Sequence, residues 1–401
     1  MSVESAVSNP VEFKRHYEPG LCYIKEEDWS AAAESLRAAL VTDPNRRNRH
    51  AGKALALLGH MLLKMDDPLQ ATAVFTDACL ATSHLPGLRS SRALALQHAG
   101  MVEMAIEVFE DALQWDKHVI PVQFILGNLY VQVGKPDKAK SAYQKVLNLE
   151  PEHFGALTNL GILLMEADRM LECVELLESA CSADPRSQEA KLNLVRALGY
   201  SERWEEAIKQ IGWLRKNYPD CPRTRVLGAR ILRCCQRGRA ALPSLDGEAI
   251  DWGPLDGARN EMLGLIHEDE GNDEQAMLFF TDALVCDPEK ARIYVHIAKH
   301  HRARKNMQEA IQAIDQAIEI DGERAESWFV RGLICFDMNQ LDRADEAMQR
   351  TINLDPAADE PHCWIGRIRL RQNDRRAAAE SLANLERLKS PLANKLKRFL
   401  C

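Results

Sequence analysis

The 401-residue sequence has no apolar run approaching the roughly 18 residues of a membrane span, so no transmembrane helix is expected. It also lacks a surplus of positive charge. Its 51 Lys and Arg face 59 Asp and Glu, for a net charge of −8 and a pI near 5.9. General nucleic-acid binding wants a basic footprint, so this balance argues against it. Catalytic signatures are absent too: there is no phosphate-cradling glycine loop, no GxSxG and no HExxH. Neither an enzyme nor a cofactor is expected.

His296 and His300 lie four apart and could share a metal, but no nearby Cys or further His completes a set. Surface histidines and no metal site are the expectation. The 11 cysteines include no CxxC pair. Scattered thiols at this density read as buried small hydrophobes in a reducing, cytoplasmic setting, with redox sensing by Cys234 and Cys235 as the alternative. The segment MSVESAVSNPVEF lacks the basic and apolar regions of a signal peptide. Cys401, as the last residue, does not match a prenylation motif.

What is present is periodicity. Residues 121–151 read as two short amphipathic helices. Leu126, Gly127 and Tyr130 share one face, Ala139, Tyr143 and Val146 another, and Gly134 and Pro136 mark the turn between them. The small residue at Gly127 has counterparts at Gly59, Ala93, Gly161, an enlarged Val195 and Ala229, about 34 residues apart. After one extra residue the series resumes at Gly264, Ala298, Gly332 and Gly366. A second small series follows at Ala32, Ala71, Ala105, Ala139, Cys173, Ala207, Ala276, Ala310, Ala344 and Ala378. Four positions later comes a large apolar residue: Leu36, Phe75, Phe109, Tyr143, Leu177, Ile211, Phe280, Ile314, Met348 and Leu382. Helix-ending prolines recur at Pro44, Pro151, Pro185, Pro219, Pro288 and Pro356. Small residues mark close helix crossings, because glycine inside a helix otherwise costs about 0.5–1 kcal/mol. Large ones fill the space between.

These co-periodic series resemble the tetratricopeptide repeat (TPR) family from about residue 13 to 392. The resemblance implies an all-α solenoid, a right-handed superhelix of about ten to eleven helix-turn-helix repeats with a C-terminal capping helix. Residues 1–12 are expected to be a flexible tail and 13–236 to hold repeats one to six and the first helix of repeat seven. The segment Asn45–His50, in excess of the period, should be an exposed basic loop. Residues 237–256 carry Pro243 and Gly247 where the second helix of repeat seven belongs. Proline inside a helix costs about 3 kcal/mol, so an irregular element is expected there, either bending between two subdomains or packing without movement. Residues 257–392 hold repeats eight to eleven, and 393–401 the capping helix.

With no catalytic signature, function falls to the surface. In the TPR family the first helices line a concave groove that often holds an extended peptide. Asn128, Asn159 and Asn193 occupy groove positions by this resemblance. The last two are similar to a short asparagine ladder like that in O-linked N-acetylglucosamine transferases, whose catalytic domain has no counterpart here. An amide side chain matches one peptide group of any sequence; polar residues on a wet face are the plainer reading. The chaperone-binding carboxylate clamp is not expected, since Phe124, Glu189 and Asn193 stand at its basic positions.

Between Asp220 and Asp246 there are six arginines and no acid. Arg223, Arg230 and Arg233 share a face, Arg196 precedes them by one repeat, and Arg292, Lys299 and Arg302 repeat the pattern. Such a stripe suits an acidic peptide, unless Glu189, Glu261, Glu268 and Asp269 neutralise it. The expected function is a non-catalytic scaffold or adaptor for a protein or peptide partner. A subunit recruiting an enzyme into a larger assembly is the alternative, and an RNA-binding helical repeat a further one.

Overall fold

The structure is a computed structural model that describes residues 9–46, 48–82, 85, 87–114, 119–245 and 250–400. It is all-α, with no strand among the described residues. The helices form two compact units, Met1–Glu202 and Arg203–Cys401. The first unit pairs α1 (Pro10–Lys25) with α2 (Trp29–Val41), α3 (Ala51–Lys64) with α4 (Pro68–Ala81) and α5 (Leu88–His98) with α6 (Val102–Ala112). It continues with α7 (Val119–Gln132) against α8 (Pro136–Leu149) and α9 (Phe154–Glu166) against α10 (Met170–Ala183), and ends on α11 (Gln188–Tyr200).

The second unit holds α12 (Trp204–Asn217), α13 (Pro222–Cys234) and the one-turn α14 (Leu242–Leu245). Then come α15 (Asp256–Asp269) with α16 (Asp273–Cys286), α17 (Ala291–Ala303) with α18 (Met307–Ile320), α19 (Ala325–Asp337) with α20 (Leu341–Leu354) and α21 (Glu360–Arg371) with α22 (Arg375–Arg387). Helix α23 (Leu392–Leu400) closes the described chain.

The periodic residues are the core. Every member of the second small series, from Ala32 to Ala378, is fully buried. The glycines make room for the large residues 16 positions on. A Cβ on Gly59 would stand 2.7 Å from Phe75, one on Gly161 2.9 Å from Leu177, and one on Gly264 2.6 Å from Phe280. The last repeat departs from this rule. A Cβ on Gly366 would meet Leu396 of α23 at 2.5 Å, while Leu382, the expected partner, is only partly buried. The amphipathic α23 thus supplies the missing bulk itself.

A further series lies in the backbone. The second residue past the end of each first helix adopts positive φ, at Glu27, Asp66, Gly100, Gly134, Asp168, Glu202, Gln236, Gly271, Lys305, Asn339 and Asn373. The next N–H then reaches back five residues, as from Lys135 to the Tyr130 carbonyl at 2.8 Å and from Gln340 to the Cys335 carbonyl at 2.8 Å. This left-handed cap satisfies the orphan carbonyls at a helix end. Only three of its positions are the glycine that suits it.

Two expectations need correction, and a third takes a definite form. Residues 10–12 belong to α1, whose cap is the Asn9 side chain accepting from the Glu12 N–H; residues 1–8 lie outside the described residues. The segment around Asn45–His50 is not simply an exposed loop. It folds over the fully buried Asp43, which accepts from the Asn48 N–H at 2.7 Å, while Arg46 donates to the Leu40 carbonyl. The irregular element is a 3-10 turn, Gly238–Ala241, running into α14. It does not divide the units, because Ala241, Leu245 and Trp252 join Val226, Leu263 and Ile266 in one core cluster.

Candidate functional site

The first unit brings two of the predicted asparagines together. Asn128 on α7 and Asn159 on α9 meet above Tyr143 of α8. Asn159 Nδ2 donates to Asn128 Oδ1 at 2.8 Å, and the Tyr143 hydroxyl donates to the same oxygen at 2.6 Å. Tyr143 reaches this point because Gly127 has no side chain; a Cβ there would lie 2.7 Å from Tyr143 Cδ1. Burial pushes the phenol up, opposed by its bond with Asn159, so the hydroxyl stays protonated and keeps donating. Each asparagine retains half of its amide. Among the described residues, Asn128 Nδ2 and Asn159 Oδ1 make no hydrogen bond. One is a donor and the other an acceptor, beside a cavity of about 270 Å³ lined also by Val131, Ile162 and Glu166.

A second cavity, of about 680 Å³, lies on the N-terminal side of the same helices, lined by Ile120, Phe124, Ile125, Leu149, Glu150 and His153. Asn193 is not part of this arrangement. It is buried on α11 and no hydrogen bond joins it to Asn159 among the described residues. Arg196 is exposed, and pulls against the burial that pushes the Cys173 thiol up to about 11.

In the second unit most of the predicted cations are spoken for. Arg233 grips Asp269 with two bonds, 2.6 and 3.0 Å, and this pairing holds its guanidinium above the usual range despite burial. Glu261, only 4% exposed in its side chain, takes Arg292 and, at 3.6 Å, Lys290. Lys299 pairs with Glu326 and Arg302 with Asp337, both at 2.6 Å. Asp269 and Glu261 are among the neutralising acids that sequence reasoning named. Glu326 and Asp337 it missed, although Asp337 repeats the Arg233–Asp269 spacing to within one residue. Arg223 and Arg230 are exposed and make no ion pair among the described residues.

The histidines are not surface residues. His300 is 6% exposed, with Nε2 3.3 Å from Glu268 and Nδ1 3.3 Å from Asp273. His296 stacks on Phe280 at 5.3 Å and contacts Glu268 at 2.8 Å. Among the described residues, no group of three His, Cys, Asp or Glu is placed to hold a metal ion. Nor is any helix among them long and apolar enough to cross a membrane.

Paired helices at this period, with small residues under large ones, define a helical-repeat protein. The tetratricopeptide-repeat profile matches residues 120–153, 291–324 and 325–357. Those three stretches are tetratricopeptide repeats, and the helix pairs between and around them share the same packing. The chain is 27% identical over 174 residues to the Protein CTR9 homolog of Arabidopsis thaliana, a match covering 40% of this chain and 15% of that protein. It is 23% identical over 274 residues to stress-induced-phosphoprotein 1 of Caenorhabditis elegans, covering 65% of this chain and 82% of that one. Among solved structures, yeast Tom70 aligns with a TM-score of 0.49 at 13% identity, over 96% of this chain and 93% of that one.

Proposed function

We propose that the first unit holds an extended peptide segment of a partner protein, and that the chain acts as a non-catalytic adaptor. The observation that carries this reading is the half-used amide pair. Asn128 Nδ2 offers a donor and Asn159 Oδ1 an acceptor, as one peptide group requires. Their shared bond and the Tyr143 hydroxyl fix both amides before any partner arrives, which lowers the ordering cost of binding.

The experiment is a pull-down to identify the partner, then titration against single Asn128→Ala and Asn159→Ala variants. Each should weaken binding about tenfold, the loss of one or two hydrogen bonds in a desolvated setting. Helicity by circular dichroism should not change. Unaltered affinity in both variants would remove the reading.

A second reading concerns the other unit. The predicted cationic stripe contracts to Arg223 and Arg230, which stand exposed without an acid among the described residues. They suit a carboxylate-bearing segment. Charge reversal at Arg230 should abolish capture of an acidic partner, while reversal at Arg302, engaged with Asp337, should act only through stability.

A further inference from the structure

The larger cavity of the first unit says more about the partner, on the footing of the backbone-reading role proposed above. Phe124 lines the larger cavity. Its ring lies 4.9 Å from that of His153 and 6.0 Å from that of Tyr143. Gly155 lets it lean onto α9, since a Cβ there would stand 2.7 Å from Phe124 Cζ. His153 is itself held by accepting the Ala156 N–H at the start of α9. An aromatic wall fixed from three sides faces an apolar cavity completed by Ile120, Ile125 and Leu149, the last 56% exposed.

Among the described residues, the charged side chains lining the two cavities have one sign. Glu150 is the charged residue lining the larger cavity and Glu166 the one lining the smaller. No Lys or Arg lines either cavity among the described residues. We infer that the bound segment carries a large aliphatic or aromatic side chain, seated against Phe124, and a Lys or Arg beside it, drawn to Glu150 and Glu166. Complementary charge of this kind selects partners and rejects those of like sign.

The test uses the full chain and an array of short acetylated Gly/Ser peptides carrying one Leu or Ser and, nearby, one Arg or Glu. The Leu–Arg peptides should bind about tenfold more tightly than the Leu–Glu peptides. Glu150→Lys combined with Glu166→Lys should reverse that order. Phe124→Ala should weaken Leu-bearing peptides and leave Ser-bearing ones unchanged. Equal binding of Leu–Arg and Leu–Glu peptides, or preference for the acidic set, overturns the inference. The parent reading survives that result if Asn128→Ala still weakens every peptide alike. Failure of every peptide to bind a chain of intact helicity overturns both.

Discussion

The two units repeat the same core pattern and use two kinds of polar join. In the first, α7 and α9 are tied by an amide pair and by a phenylalanine leaning over a glycine. In the second, α13, α15, α17 and α19 are laced by charge: Arg233 to Asp269, Glu261 to Arg292, Glu268 to His296, Lys299 to Glu326, Arg302 to Asp337. The apolar rows beneath are the same in both. Repeat spacing is therefore set by volume inside the helix pairs, whereas the first-helix surface is free to carry half-used amides in one place and closed ion pairs in another. Charges that already have partners gain little from a new one, which is why the proposal places binding in the first unit.

The sharpest way to break this comparison is to cut the shared core. Phe75→Ala and Phe280→Ala occupy equivalent positions in the two units, and both side chains are fully buried. Each should cost about 3–5 kcal/mol in denaturant unfolding. A large inequality would mean that the cores differ after all. Next comes Glu261→Gln, which strips the buried carboxylate from Lys290 and Arg292. The expected cost is about 2 kcal/mol, below that of a fully buried pair because both cations reach solvent. Asn128→Ala in the first unit should cost less, about 1 kcal/mol.

Acid should separate the units further. Burial alone would raise Glu268, but the His296 hydrogen bond, with the charges of His296, His300 and Lys299, holds it below its ordinary 4.5. Glu326 is likewise lowered by Lys299 against the effect of burial. A carboxylate lowered in the folded state contributes stability above its unfolded pKa and loses it as pH falls through the folded value. Amide exchange followed from neutrality to below pH 4.5 should therefore show α15, α17 and α19 losing protection before α7 and α9. The reverse order would refute the charge-laced description. The smallest effect concerns the turns. Lys305→Gly, which relieves a side chain held at φ 62, should raise stability by about 0.5–1 kcal/mol, as a shift of the thermal midpoint.

What was legible in the sequence follows from these causes. The rows at Gly127, Ala139 and Tyr143 show through because packing accepts only certain volumes there, and volume is written in residue type. Pro243 betrayed the broken second helix for a similar reason, since no tertiary contact restores a missing N–H; Gly247 lies outside the described residues. The positive-φ series stayed hidden because Glu, Asp, Lys and Asn fill most of it, and the fold imposes the conformation on them. Tyr143 was read only as core, though its hydroxyl anchors the amide pair. The neutralisation of Arg302 and Lys299 depends on which carboxylates of the next first helix come alongside. Spacing suggested candidates, but only coordinates choose between them. Leu396 taking the place of Leu382 under Gly366 belongs to the same class.

One hydroxyl links the interior of the first unit to the amide pair on its surface. The Tyr143 ring enters through the gap at Gly127, and its far end braces Asn128. A methyl group added at Gly127 would thus do two injuries at once, loosening the helix pair and slackening the amides that greet a visitor. On the proposed reading, folding strength and grip hang on this one position, and a substitution there changes both together.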